Sequence, residues 1–144
     1  MTLRSLAANS PGRRANWRAL GLSKEDMEKP KIAVVNSSSE LAICYAHLDG
    51  IAKIVKEEIR AAGAIPFEVR TSAPSDFITG ANKAGSYILA GRDIIANDIE
   101  VQVEGALLDG MVCLTSCDKT PPGHLMAAAR LNIPTILVIG GYQP

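Results

Sequence analysis

The densest concentration of reactive groups in the 144-residue chain is Ser116-Cys-Asp-Lys-Thr-Pro-Pro-Gly123. A thiol, a carboxyl and an amine follow one another at Cys117, Asp118 and Lys119. A cysteine thiolate can ligate the iron of an iron–sulfur cluster, and an aspartate oxygen can ligate Mg²⁺. Lys119 could pair with a carboxylate, or bind a metal if its amine were converted to an acid. The plainer alternative is that Asp118 caps the helix that follows and Lys119 is a surface charge. Cys44 precedes another predicted helix, where a thiolate would be stabilised, although a small buried residue is the simpler reading. Asp76 lies in a long loop and could ligate a metal or cap that loop. Cys113, inside an apolar run, is expected to point into the core. His47 begins a helix as a capping or packing residue. His124 could reach a substrate carboxylate, but an exposed place in the first helical turn is the simpler expectation. There is no Cys-x-x-Cys pair, no Walker A loop and no Gly-x-Gly-x-x-Gly, so nucleotide binding has little support.

These residues need elements to hold them. Residues 1–30 read as a polar, irregular arm punctuated by Pro11, Gly12, Gly21 and Pro30, with a short helix possible after Ser23. The α/β domain is expected over 31–144. Lys31 to Asn36 is a buried strand, and His47 to Ala62 has helical spacing closed by Gly63. Pro66 to Arg70 is a second strand, and Thr71 to Gly85 is a long loop of the kind that is often functional. Tyr87 to Glu104 is helical and Gly110 to Leu114 is a third strand. Gly123 to Leu131 is a helix that Pro122 helps to start, and Pro134 to Ile139 is a fourth strand before Gly140-Gly141. Strands that are apolar throughout and alternate with helices predict an α/β fold, a parallel sheet of about four strands with helices on both faces. Ligands bind such sheets at the carboxyl ends of the strands. The segments Asn36 to Cys44, Ser72 to Asp76, Thr115 to Lys119 and Gly140-Gly141 all fall there.

Fifteen Lys and Arg balance fifteen Asp and Glu. A balanced charge argues against a nucleic acid or a membrane surface as partner. The one basic cluster, Arg13, Arg14 and Arg18, reads as a solvated terminal segment. No stretch approaches the ~20 apolar residues that span a bilayer, and no secretory signal is visible. Three cysteines without a disulfide-scaffold pattern fit a reducing cytoplasm.

Read together, several segments resemble the N-terminal part of the family that contains dihydroxy-acid dehydratase, phosphogluconate dehydratase and the sugar-acid dehydratases. The strongest is Asp109-Gly-Met-Val-Cys-Leu-Thr-Ser-Cys-Asp-Lys-Thr-Pro-Pro-Gly-His-Leu-Met-Ala-Ala-Ala-Arg-Leu-Asn-Ile-Pro134. Val35-Asn-Ser-Ser38, Cys44 ahead of His47-Leu48, Glu58-Ile-Arg-Ala-Ala-Gly63 and Arg92 to Glu100 support it, so the likeness runs from about Arg13 to Gly141. The resemblance implies that Cys44 and Cys117 are two of three cysteines holding an iron–sulfur cluster, of 2Fe–2S or 4Fe–4S type. It implies that Asp76 and Asp118 ligate Mg²⁺. It also implies that Lys119 is carbamylated and joins them, with Asp118 and Lys119 in the catalytic machinery. The implied reaction is a β-elimination that turns a 2,3-dihydroxy acid or sugar acid into a 2-keto acid.

The loop Asp76-Phe-Ile-Thr-Gly80 departs from the family's Asp-Gly-Ile pattern and looks closer to a sugar-acid branch. Ala90-Gly91-Arg92 stands where the family has Pro-Ser-Arg. Family members are several times longer, so a third cysteine, a later Mg²⁺ carboxylate and the serine base are expected beyond residue 144. The expected partners are a small hydroxy acid, the remainder of the dehydratase chain or a complementary subunit, and further copies in a homo-oligomer. The isolated chain is expected to be inactive and to self-associate. Two alternatives remain: a truncated paralogue that folds or binds a partner without metal, and a flavodoxin-like phosphate-binding module.

Overall fold

Lys31-Ile-Ala-Val-Val-Asn36 can be apolar almost throughout because, as strand β1 (Lys31–Asn36), it lies inside the sheet with both faces covered. The computed structural model describes residues 3–7, 10–80 and 82–141. Helices α1 (Arg4–Ala7) and α2 (Pro11–Ala19) precede β1. Helices α3 (Ile43–Ala46) and α4 (Leu48–Ala61) connect it to β2 (Ile65–Arg70). Helices α5 (Asp76–Thr79) and α6 (Ser86–Gly105) lead to β3 (Gly110–Thr115), and α7 (Thr120–Leu131) leads to β4 (Thr135–Ile139). The strands lie in the order β2-β1-β3-β4 and every pair is parallel. This is the α/β architecture that the alternation predicts.

Because side chains alternate across a strand, each serves one of two layers. Ala33, Val35, Met111 and Cys113 pack with Ile95, Ile99, Val103 and Ala127 of α6 and α7. Val34 and Leu114 pack with Ala52 of α4, flanked by Ile51, Val55 and Ile59. Gly123 permits the close approach of α7 to α6: a Cβ there would come within 2.9 Å of Ile95 and 3.2 Å of the Arg92 carbonyl. Gly63, at φ +82°, ends α4 as expected.

The segment before Lys31 is more regular than its prolines and glycines suggest. Pro11 starts α2 instead of breaking it, and the Ser10 hydroxyl caps the helix by accepting from the Arg13 N–H. Arg13, read as part of a solvated cluster, is instead half-buried. Its guanidinium lies 4.3 Å from the Trp17 ring and donates to the Ala106 carbonyl. Trp17 stacks on Phe67 of β2 with ring centroids 5.6 Å apart. Arg18 remains exposed.

One outer face is apolar and exposed. Ile136 and Ile139 on the edge strand β4 are each 63% exposed. An apolar groove of about 710 Å³ is lined by Ile32, Ile59, Met111, Val112, Pro134 and Ile136. Among the described residues no helix is long and apolar enough to cross a membrane.

Asp109, in the turn before β3, ties the arm to the sheet. It accepts from Ser5 N at 3.0 Å, Ser5 Oγ at 2.6 Å and the Lys31 amide at 2.8 Å. Burial acts to raise its pKa, but the hydrogen bonds from Lys31 and Ser5 outweigh it, so the carboxyl sits below its ordinary range. Asp109→Ala leaves those donors unsatisfied and should cost about 2–3 kcal/mol, measurable as a lower urea midpoint. A loss under about 0.5 kcal/mol would assign the arm no share in stability.

Candidate functional site

All four strands run the same way, so their carboxyl ends share one rim. The turn between β3 and α7 carries Cys117, Asp118 and Lys119 across that rim. Cys117 is held at φ +63°, in the left-handed region, at a cost of about 1–2 kcal/mol for a residue with a Cβ. Thr120 holds the turn in place. Its hydroxyl accepts from the Ser116 N–H at 3.0 Å and from Thr115 Oγ1 at 2.8 Å, and donates to the Ser116 carbonyl. Thr115, Ser116 and Thr120 are all buried. Thr120 is a positioning residue absent from the expected site, and its signal in the sequence is a hydroxyl about one turn after a strand end, free to bond nearby backbone.

The turn presents three different groups. Lys119 Nζ lies 2.7 Å from Asp76 Oδ2, and the two side chains are only 14% and 26% exposed. The other oxygen, Asp76 Oδ1, is buried without a hydrogen-bond partner among the described residues. Lys119 is therefore not a free surface charge. The capping position of α7 is taken by Lys119, with no side-chain cap bond, and not by Asp118. Asp118 is exposed. Together with Cys44, Phe77, Ser116 and Cys117 it lines a cavity of about 230 Å³.

Cys44 sits in α3 and is buried beside Tyr45 and Leu48, and Cys117 packs against that group. The Tyr45 hydroxyl donates to the Pro74 carbonyl at 2.9 Å, which pins the loop that leads to Asp76. Burial, and then the neighbouring Cys117 and Cys44, hold this phenol well above its ordinary pKa, so it stays protonated. Cys113 faces the core, as its place inside β3 implies, and burial pushes its thiol up to about 12. The end of β4 docks on the junction between α3 and α4. His47 Nε2 lies 3.0 Å from the Gly140 carbonyl oxygen, and a Cβ on Gly140 would come within 2.8 Å of that ring.

Thus Cys44, Asp76, Cys117, Asp118 and Lys119 come together at one rim. Asn36 does not join them: its amide donates to Asp49 at 2.8 Å and to Glu68 at 3.0 Å, within a network on the α4 side. Ser72 is exposed, and Ser75 is buried with its hydroxyl unpartnered among the described residues. Two larger hollows, the apolar groove and one of about 370 Å³ beside Leu22, Arg60 and Ile65, gather no comparable set of reactive groups. Chemistry, not size, selects the rim cavity.

The donor types fit two metal groups in part. Two thiols suit iron. Carboxylates, one with a buried bare oxygen, suit a hard cation. Among the described residues no three His, Cys, Asp or Glu side chains form a ready ligand set.

Comparison with known proteins shows the family. The family described as dihydroxy-acid/6-phosphogluconate dehydratase N-terminal matches residues 29–144. A dihydroxy-acid dehydratase of Methanococcoides burtonii is 46% identical over 134 residues. That match covers 93% of this chain and 24% of the relative, so the chain spans about a quarter of the relative's length.

His124 departs from expectation. It is fully buried, not exposed in the first helical turn, because Gly123 draws that turn against the domain. Burial lowers its pKa from 6.5 to about 4. Between these values the unfolded chain binds a proton that the native state refuses, so stability falls as pH drops from 6.5 to about 4. The loss amounts to about 3 kcal/mol at most and does not grow at lower pH. Unfolding free energies at neutral and mildly acidic pH should therefore diverge more in this protein than in His124→Gln; parallel pH profiles would contradict the assignment.

Proposed function

The chain belongs to the dihydroxy-acid/6-phosphogluconate dehydratase family, and we propose that it supplies part of the active site of a hydro-lyase. The enzyme removes water from a 2,3-dihydroxy acid or sugar acid to give a 2-keto acid. The observation that carries this reading is the meeting of Lys119 and Asp76 at 2.7 Å beside the cavity lined by Cys44, Cys117 and Asp118.

The elimination has two demands. The proton next to the carboxylate is weakly acidic, and hydroxide is a poor leaving group. Bound cations would meet both by taking up negative charge as Lewis acids. Cys44 and Cys117 would hold an iron–sulfur cluster, and Asp76, Asp118 and Lys119 would hold Mg²⁺. As an ammonium, Lys119 is the counter-charge of Asp76. Carbamylation would reverse its sign and set two anions against each other, an arrangement that calls for a divalent cation. The bare Asp76 Oδ1 supports this reading, since it leaves an acceptor ready for such an ion. The Lys119–Asp76 pair and the hydrogen bond from Tyr45 to Pro74 restrain the loops that border the cavity.

Elemental analysis of the complete enzyme that carries this segment tests the proposal. Cys117→Ser and Cys44→Ser should each remove most of the iron and acid-labile sulfide from anaerobically prepared protein. Lys119→Arg keeps the charge beside Asp76 but cannot be carbamylated. It should lower turnover by about 100-fold with iron unchanged. Full iron and sulfide in both cysteine variants would end the assignment.

A further inference from the structure

Three side chains, two from strand-end loops and one from α7, form a polar chain that the ligand set does not use. Ser37 follows β1, Thr71 follows β2, and His124 follows the first turn of α7. Ser37 Oγ lies 3.1 Å from His124 Nε2 and 3.4 Å from Thr71 Oγ1. Ser37 and His124 are fully buried.

The direction of the chain can be read from its far end. Thr71 Oγ1 donates to the Ser72 carbonyl at 3.3 Å. With its proton committed there, Thr71 accepts from Ser37, and Ser37 in turn must accept from the imidazole. The proton therefore sits on Nε2, and Nδ1 is left as a bare acceptor. That agrees with its being buried without a partner among the described residues, since an orphaned acceptor is tolerated more readily than an orphaned N–H. The low pKa keeps the ring in this neutral form. An apolar side chain could fill the same space without burying a polar atom, so the packing of α7 does not by itself call for a histidine.

The placement of the three groups suggests their use. Ser37 opens the segment that leads to Cys44, and Thr71 opens the one that leads to Asp76. His124 lies one turn into α7, the helix that the Cys117–Lys119 turn starts. Nearer the rim these loops are joined by the Tyr45–Pro74 bond and the Lys119–Asp76 pair, and at the strand ends by two long backbone bonds, Thr71 N to Asn36 O at 3.3 Å and Ser37 N to Leu114 O at 3.2 Å. We propose that His124 and Ser37 are positioning residues, whose hydrogen bond, continued to Thr71, locks the three loops so that Cys44, Asp76 and Lys119 stay together at the rim. This deepens the dehydratase reading, and rests on it only for what the locked loops then bind.

Amide hydrogen exchange of the protein and of three variants tests the lock without any metal. In His124→Leu and Ser37→Ala, exchange over residues 38–43 and 71–80 should rise about tenfold, while β1, β3 and α6 keep their protection. His124→Gln, which offers Ser37 an N–H in place of the imidazole's, should restore most of it. Unchanged loop protection in Ser37→Ala would overturn the proposal. So would loosening spread evenly over the sheet, or failure of Gln to rescue. If His124→Leu does not fold, Ser37→Ala cuts the same chain from its other member. Exchange that behaves as expected in an enzyme that takes up no iron would leave the lock standing and remove the dehydratase reading instead.

Discussion

The contact between Lys119 and Asp76 turns scattered residues into a site. It joins two loops that are 43 residues apart in the chain. Without it, Asp76 would belong to a surface loop and Lys119 to the end of a turn. At 14% and 26% exposure the pair lies between a surface salt bridge, which is worth little, and a buried one, whose desolvation offsets much of its attraction. Such a pair is poorly chosen if stability is its purpose. Under the proposed function it would keep two charges close until a cation or a change of charge redefines them. The unpartnered Asp76 oxygen points the same way.

The parallel sheet makes that contact possible. Four strands running one way deliver four loops to one rim, and each loop has its own restraint. Thr120 clamps the turn at Cys117, Tyr45 holds the loop before Asp76, and Gly140 seats β4 on His47. The left-handed conformation of Cys117 persists because buried hydroxyls on either side fix the backbone there. Strain of this kind is tolerated where a side chain has to be aimed.

Much of this was legible in the sequence. The strands declared themselves because a sheet covered on both faces needs continuous apolar runs, and β1 has the predicted bounds of Lys31 and Asn36. The rim residues could be gathered from topology alone. Other features were hidden for physical reasons. Helix α2 buries no residue fully and is held by a cap and by Arg13 and Trp17, so its sequence lacks a strong apolar stripe. The burial of His124 depends on how closely α7 approaches its neighbours, which Gly123 decides and helical spacing does not. The backbone at Cys117 could not be foreseen, because cysteine has no preference for the left-handed region that would have marked it.

A double-mutant cycle on Asp76 and Lys119 tests the central claim most directly, with unfolding free energies for Asp76→Asn, Lys119→Met and the pair. If the two side chains meet at the rim, the single effects should fail to add, with a coupling of roughly 1–3 kcal/mol. Additivity within about 0.3 kcal/mol would mean that the two loops do not meet, and the site would have no common centre.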